Sequence, residues 1–487
     1  MRRIFWTSLF GFFIQHPCFS QLKREELYTD FVLYQKRVLL EKDLRDRVTG
    51  KAFSAPLDSN TEYKYELACQ AVTQFLLVSP ATVQGLDKLF SQYDSLQYDT
   101  KRAFLEAAYA AYPDKYTADI RNLLDKETDP RLFTTCALYL YRTDTTVQNA
   151  NFLKIHMVER FPGYDSLAIL GELTKYLSDH KAFTQRKTPD MATLFCYRQS
   201  SGQKTIYSFQ RWDRDYPGMA IVQNADGNFV KDGDGRLQVF LQLARSGSDL
   251  PYFISNGSTP QGIYRITGLG VSHNHFIGPT PNIQLIMPFE DSWDHYFQQS
   301  LDSSDPGDHN NPRDPRDAGL HFTGDSLLAY QALLPPSWRA YQPLMEAWYA
   351  GKAGRTEIIA HGSTLDPEYF RDRPFYPLTP TQGCLCGKEL WNPTTGHLLV
   401  SEQFNMVNAF GSTPGNRGYL FVINVDDQRK SVSRAEVEGW VSKYELLTTP
   451  PSQIQTPAHT LKRKIVHGLC NITGRRHASG RSRSRLG

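Results

Sequence analysis

Long apolar runs are missing from this sequence. The nearest to one, Ile4 to Ile14 behind Arg2 and Arg3, falls short of the roughly 20 residues a helix needs to cross a bilayer, and no later stretch does better. A membrane-spanning helix is thereby excluded. Excess charge of one sign is missing too, since 54 Lys and Arg face 51 Asp and Glu for a net +3. The body offers no basic field of the kind that holds nucleic acid. Cysteine is sparse, at positions 18, 69, 136, 196, 384, 386 and 470. That scatter rules out a disulfide-stapled scaffold. No Cys/His set supplies four metal ligands, and nothing in the chain asks for a metal or an organic cofactor.

What is present is enough for two or more domains, with 40% hydrophobic and 22% charged residues. Arg2, Arg3, the short apolar run and the small residues Cys18 and Ser20 read as a secretory signal cut after Ser20. The mature chain is then expected outside the cytoplasm, in the periplasm or cell envelope. Residues 451–487 hold basic side chains and no acidic ones, which reads as a solvated, disordered tail. Residues 302–319, rich in Asp, Pro, Asn and Gly, read as an exposed loop.

Residues 21–195 read as a helical domain. Ala103, Phe104, Ala107, Ala108 and Ala111 share one helix face. Asp129-Pro130 parts two apolar helical runs like the hinge of a helix–turn–helix pair. Cys69 and Cys136 fall on such faces as buried thiols. Stacked pairs of this kind are similar to HEAT or tetratricopeptide repeats, with an irregular period. Such a domain either binds an envelope protein partner or caps the next domain.

From about residue 200 the pattern turns to short alternating runs, at 220–223 and 237–243 among others. The strings Asp226-Gly227-Asn228 and Asp232-Gly233-Asp234-Gly235 are read as hairpin turns, because a calcium loop would need a closing Glu. His273-x-His275 reads as loop. A short helix is expected from Pro343 to near Gly351.

The chemistry concentrates late in the chain. Ile358-Ile359-Ala360-His361-Gly362 reads as a buried strand that delivers a histidine, and Thr381-Gln382-Gly383-Cys384 as a loop that delivers a cysteine. A thiol needs a base to become a nucleophile at neutral pH, and histidine is the usual one. Upstream lies Thr259-Pro260-Gln261-Gly262-Ile263-Tyr264-Arg265-Ile266; downstream lies an apolar strand, Gly418 to Asn424. In this order the motifs resemble the L,D-transpeptidase (YkuD-type) catalytic domain, over residues 196–450. The resemblance implies an α+β chain: a helical N-terminal domain, then a mostly-β catalytic domain acting on peptidoglycan stem peptides. It implies Cys384 as nucleophile and His361 as general base and acid. Gly383, Gln382, Thr381, Gly362 and Ser363 would support the loop, the imidazole and an oxyanion hole, whose donors are worth about 3 kcal/mol each.

Two positions depart from the family pattern. Gln382 stands where a second histidine is usual, and it cannot titrate. Cys386 stands where Arg or Asn is usual, and a thiol cannot hold a carboxylate as a guanidinium does. Arg371, Arg373, Lys388 and Tyr376 are the alternatives for a substrate groove, one side of which the aromatic residues Tyr369, Phe370, Phe375 and Tyr376 are expected to wall. Cys384 and Cys386 also allow a local disulfide. Transfer to an amine gives a 3→3 cross-link; transfer to water gives an L,D-carboxypeptidase. A domain that binds stem peptide without cutting it is the third reading.

Overall fold

Helices make up the first half of the protein. The structure, a computed structural model, describes residues 23–184, 187–297 and 324–449. The expected signal segment (1–20), the loop at 302–319 and the basic tail (451–487) lie outside the described residues. The early helices are α1 (Tyr34–Asp43), α2 (Glu62–Phe75), α3 (Pro80–Ser91), α4 (Tyr98–Ala111), α5 (Thr117–Leu124), α6 (Pro130–Thr143), α7 (Val147–Arg160) and α8 (Ala168–Thr184). The Asp129-Pro130 hinge works as a helix start: the Asp129 carboxylate accepts from the Arg131 and Leu132 amides, and Pro130 fills a position that needs no amide hydrogen. Neighbouring helices pack in pairs, α2 on α4 and α5 on α6. Cys69 and Cys136 are fully buried free thiols on these faces.

Among the described residues the second half is built on ten strands, β1 (Lys204–Gln210), β2 (Gly218–Gln223), β3 (Phe240–Leu243), β4 (Gly262–Gly270), β5 (Asn282–Ile286), β6 (Ile359–His361), β7 (Leu385–Gly387), β8 (Glu389–Trp391), β9 (Leu398–Ser401) and β10 (Gly418–Asn424). Eight of them close into a barrel in the order β1-β10-β4-β5-β6-β7-β3-β2, and β8 with β9 forms a separate two-stranded sheet. The β1–β10 and β6–β7 pairs are parallel and the other pairs antiparallel. The chain is therefore α+β, a helical region followed by a barrel. The run at 237–243 is a strand only from Phe240, because Leu237 instead bridges Lys231 across a hairpin. The Asp-Gly strings close the hairpin turns, with Gly227 N donating to Asn224 O and Gly235 N to Asp232 O.

Strand β1 is buried along its whole length, on both faces. One face joins Ile206, Ala220, Tyr264 and Leu420 to Met406 and Phe410 of α12 (Glu402–Gly411) and, without a break, to the helical region. The other face, with Tyr207, Phe209, Ile221 and Phe421, is covered by α9 (Met191–Ser200), α10 (Gly324–Ala332), α11 (Glu346–Lys352) and α13 (Arg434–Thr448). The expected boundary at 195/196 thus falls inside α9, whose Leu194 and Phe195 belong to the barrel's outer layer. The helix expected from Pro343 is a single tight turn, Gln342–Met345, continued by α11. The first described residues also join the second half: Leu27 and Val32 pack on Trp391, Leu398 and Phe404.

Strand directions bring several loops to one end of the barrel. The ends of β1, β3 and β10 meet the starts of β4, β6 and β7 there, by the pairings Val422 with Gly262, Leu243 with Cys386 and Ala360 with Leu385. Cys384, one residue before β7, lies in this mouth.

Candidate active site at the barrel mouth

The parallel β6–β7 register matches Ala360 with Leu385 and His361 with Cys386. One step back along both chains it brings Ile359 beside Cys384, and the Ile359 amide reaches the Cys384 Sγ at 3.5 Å. Side chains alternate along strands, and Ala360 and Leu385 join the large apolar cluster. Cys384, His361 and Cys386 consequently share the opposite face. Two residues of rise and one strand spacing separate the Cys384 and His361 backbones by roughly 8 Å.

Cys384 is half-buried. Its thiol donates to the Glu357 carbonyl at 3.6 Å. Burial pushes it up to about 11; the Ile359 amide and the Arg355 guanidinium pull it down, and the Glu357 and Glu290 carboxylates push it up. His361 is 5% exposed, and burial holds its imidazole down at about 4. Its Nδ1 bonds to the Gly362 carbonyl. A carbonyl only accepts, so Nδ1 carries the hydrogen and Nε2 is left as the basic nitrogen. Among the described residues no hydrogen bond joins Cys384 to His361.

The loop before Cys384 is held by its own side chains. Thr381 Oγ1 accepts from Gly383 N at 3.0 Å and donates to Cys384 O at 2.8 Å. The Gly383 amide is therefore already taken, which removes it from the expected oxyanion donors. Gly383 has φ +110°, and a Cβ there would sit 2.1 Å from Arg355 Nη2 and 2.4 Å from Gly257 O. Thr259 Oγ1 donates to Gly383 O at 2.8 Å. Two motifs far apart in sequence thus form one piece: residues 257–259 brace the loop that carries the thiol. Gln382 is exposed and edges a small cavity with Gln70, Thr73, Arg102, Glu106 and Asn256 of the helices and neighbouring loops.

After His361 the chain runs over a buried carboxylate. A Cβ on Gly362 would meet the Glu389 carboxyl at 2.1 Å. Glu389 accepts from Ser363 N at 2.9 Å and Ser401 Oγ at 2.6 Å, and burial pushes it up to about 7. Sequence reasoning missed Glu389, Arg355 and Glu290, because none belongs to a motif and all three act through tertiary neighbours.

The groove residues are dispersed. Arg371 is exposed and pairs with Glu368; Tyr376 also donates to Glu368, at 2.8 Å. Arg373 is exposed on the same segment. Tyr376 lines a cleft of about 340 Å³ with Asp366, Glu368, Glu389 and Trp391. Phe370 and Phe375 do not wall a groove; they pack with Leu243 and Leu378 in a small core. Lys388 lies past the far end of β7, about 13 Å of strand from Cys384, which separates it from a carboxylate held near the thiol. Cys384 and Cys386 are both free. Cys386 is buried, with its Sγ 3.6 Å from Thr379 Oγ1. His273 and His275 sit on a loop, where His275 stacks on Phe31. No cluster of three metal-ligating side chains occurs among the described residues.

Comparison of the chain with protein-family models, curated proteins and solved structures finds no match. The reading of the site rests on its residues and their geometry.

Proposed function

We propose that this protein is an exported peptidoglycan L,D-transpeptidase of the envelope, with an L,D-transpeptidase-like barrel and a helical region that meets an envelope partner. One observation carries the reading: a cysteine and a buried neutral histidine on the same face of adjacent parallel strands, with the cysteine loop bonded to the Thr259-Pro260 segment. Cys384 Sγ attacks the carbonyl of the diamino acid's L-centre in a stem tetrapeptide, and His361 Nε2 takes the thiol proton. The bond to D-alanine breaks, a thioester forms, and the proton leaves on the D-alanine amine. The amine of a second stem peptide then attacks the thioester, giving a 3→3 cross-link and restoring the thiol.

The resting site holds the uncharged pair. Burial raises the thiol and lowers the imidazole, so the thiolate–imidazolium pair is disfavoured at rest and transition-state contacts must offset that cost. That cost, with Gln382 and Cys386, favours the alternative of a domain that binds stem peptide without cutting it. Incubation with disaccharide-tetrapeptide beside a Cys384→Ala control, read by mass spectrometry, separates the readings. Dimers lacking one D-alanine are expected; tripeptide alone makes the enzyme a carboxypeptidase. Measurable binding with no product turns the conclusion to the binder.

A further inference from the structure

Buried arginines of the barrel mouth differ in how their charge is met. Arg211 is paired with Asp426 at 2.7 Å and Glu436 at 2.9 Å, and Arg245 with Asp215 and with Asp249 at 3.8 Å. Arg355 is 3% exposed and forms an ion pair with no described carboxylate. Its guanidinium is held by backbone carbonyls alone. Nη1 donates to Tyr252, to Ile254 at 3.1 Å and to Ser258 at 3.0 Å, and Nη2 donates to Gly257. Among the described residues, the ionisable groups that act on it electrostatically are the Tyr264 phenol and the Cys384 thiol, the latter next to Gly383, which Nη2 closely approaches. Tyr264 is fully buried and pushed well above its ordinary range, so it stays neutral.

A buried cation without a counter-ion is costly, and carbonyl dipoles offset only part of that cost. Groups in this condition gather where a reaction creates the missing charge. We propose that Arg355 is the built-in counter-charge of Cys384: it stabilises the thiolate formed when the Sγ proton leaves for His361 Nε2. It also fixes the thiol's position, because Nη2 packs where a Gly383 side chain would be. Arg355 acts through charge and through the loop, as a positioning residue. The proposal rests on reading Cys384 as the reacting thiol, and it concerns ionisation rather than any wall substrate. The other groups facing the thiol are His361 from β6, Cys386 from β7, Glu357 from the segment before β6 and Glu290 from the turn after β5.

The test is the pH profile of Cys384 alkylation by iodoacetamide in the full chain, with the modified residue assigned by peptide mass. Arg355→Met should move the profile up by at least one pH unit, about a tenfold loss of rate at pH 8.5. Arg355→Lys, which keeps the charge, should stay within half a unit of the parent. A folded Arg355→Met variant with the parental profile overturns the proposal. Should that variant fail to fold, the wild type decides. Its rate ratio for iodoacetate over iodoacetamide should exceed that of the same cysteine in denaturant, as a local cation requires; an equal or smaller ratio overturns the proposal. A shifted profile with no product from tetrapeptide would sink the transpeptidase reading and leave this one standing.

Discussion

Replacing Gly383 by alanine tests whether the loop before Cys384 is as tightly built as its contacts say. An added methyl group would stand 2.1 Å from Arg355 Nη2 and 2.4 Å from Gly257 O, at φ +110°. A side chain at such a φ costs about 1–2 kcal/mol. Relief of the clash requires the guanidinium to give up carbonyl partners, each worth about 1 kcal/mol and more where a buried donor is left unpaired. The two effects together come to about 3 kcal/mol. Urea denaturation should show that loss, and the melting temperature should fall by about 3 °C if the chain unfolds as one unit, or further if the barrel unfolds separately. The shift should come with altered iodoacetamide reactivity at Cys384, since the same contacts place the thiol. A Gly383→Ala protein within 0.5 kcal/mol of the parent, with unchanged thiol reactivity, would refute the reasoning.

Two further outcomes follow from buried charge. His361 is held at about 4 in the folded protein against about 6.5 when unfolded. The unfolded chain therefore binds the proton first as the solution is acidified. Its stabilising contribution, up to about 3 kcal/mol, is complete above pH 6.5 and lost as pH falls toward 4. His361→Gln should flatten the stability profile in that window, and an unchanged slope would count against burial as the cause. Glu106 is buried between Arg102 at 3.0 Å and Asn256 Nδ2 at 3.1 Å, tying the helical region to the 247–258 loops. Glu106→Ala should cost about 3 kcal/mol and speed amide exchange at residues 247–258; exchange rates equal to the parent's would show that the contact holds nothing in place.

Much of the local structure is legible in the sequence. The apolar string Gly418 to Asn424 is a strand over those residues, and Asp129-Pro130 opens a helix. Both signals are local, one a run buried on both faces, the other a carboxylate capping the amides just ahead of it. The run at 237–243 is overread, because apolar residues describe burial and do not say which backbone groups find a ladder partner. Lys388 reads as a groove residue close in sequence to the thiol, but the direction of β7 carries it away. Phe370 and Phe375 fill a small core instead of walling the groove, because an aromatic string reads the same whether it lines a surface or fills a core.

The sequence by itself determines which groups can react and where the chain carries no side chain. A thiol at 384, an imidazole at 361 and a residue without a side chain at 383 are properties of single positions. The tertiary structure decides what those groups are. Parallel pairing of β6 with β7 turns Cys384 and His361 to one face, and closure of the barrel buries His361 and half-buries Cys384. Burial raises the thiol and lowers the imidazole, because a low-dielectric surround disfavours whichever form is charged. The fold also brings Arg355, Glu357 and Glu290 to the thiol from separate segments. No spacing in the chain records that, since electrostatic influence depends on distance in space and on the medium between the charges.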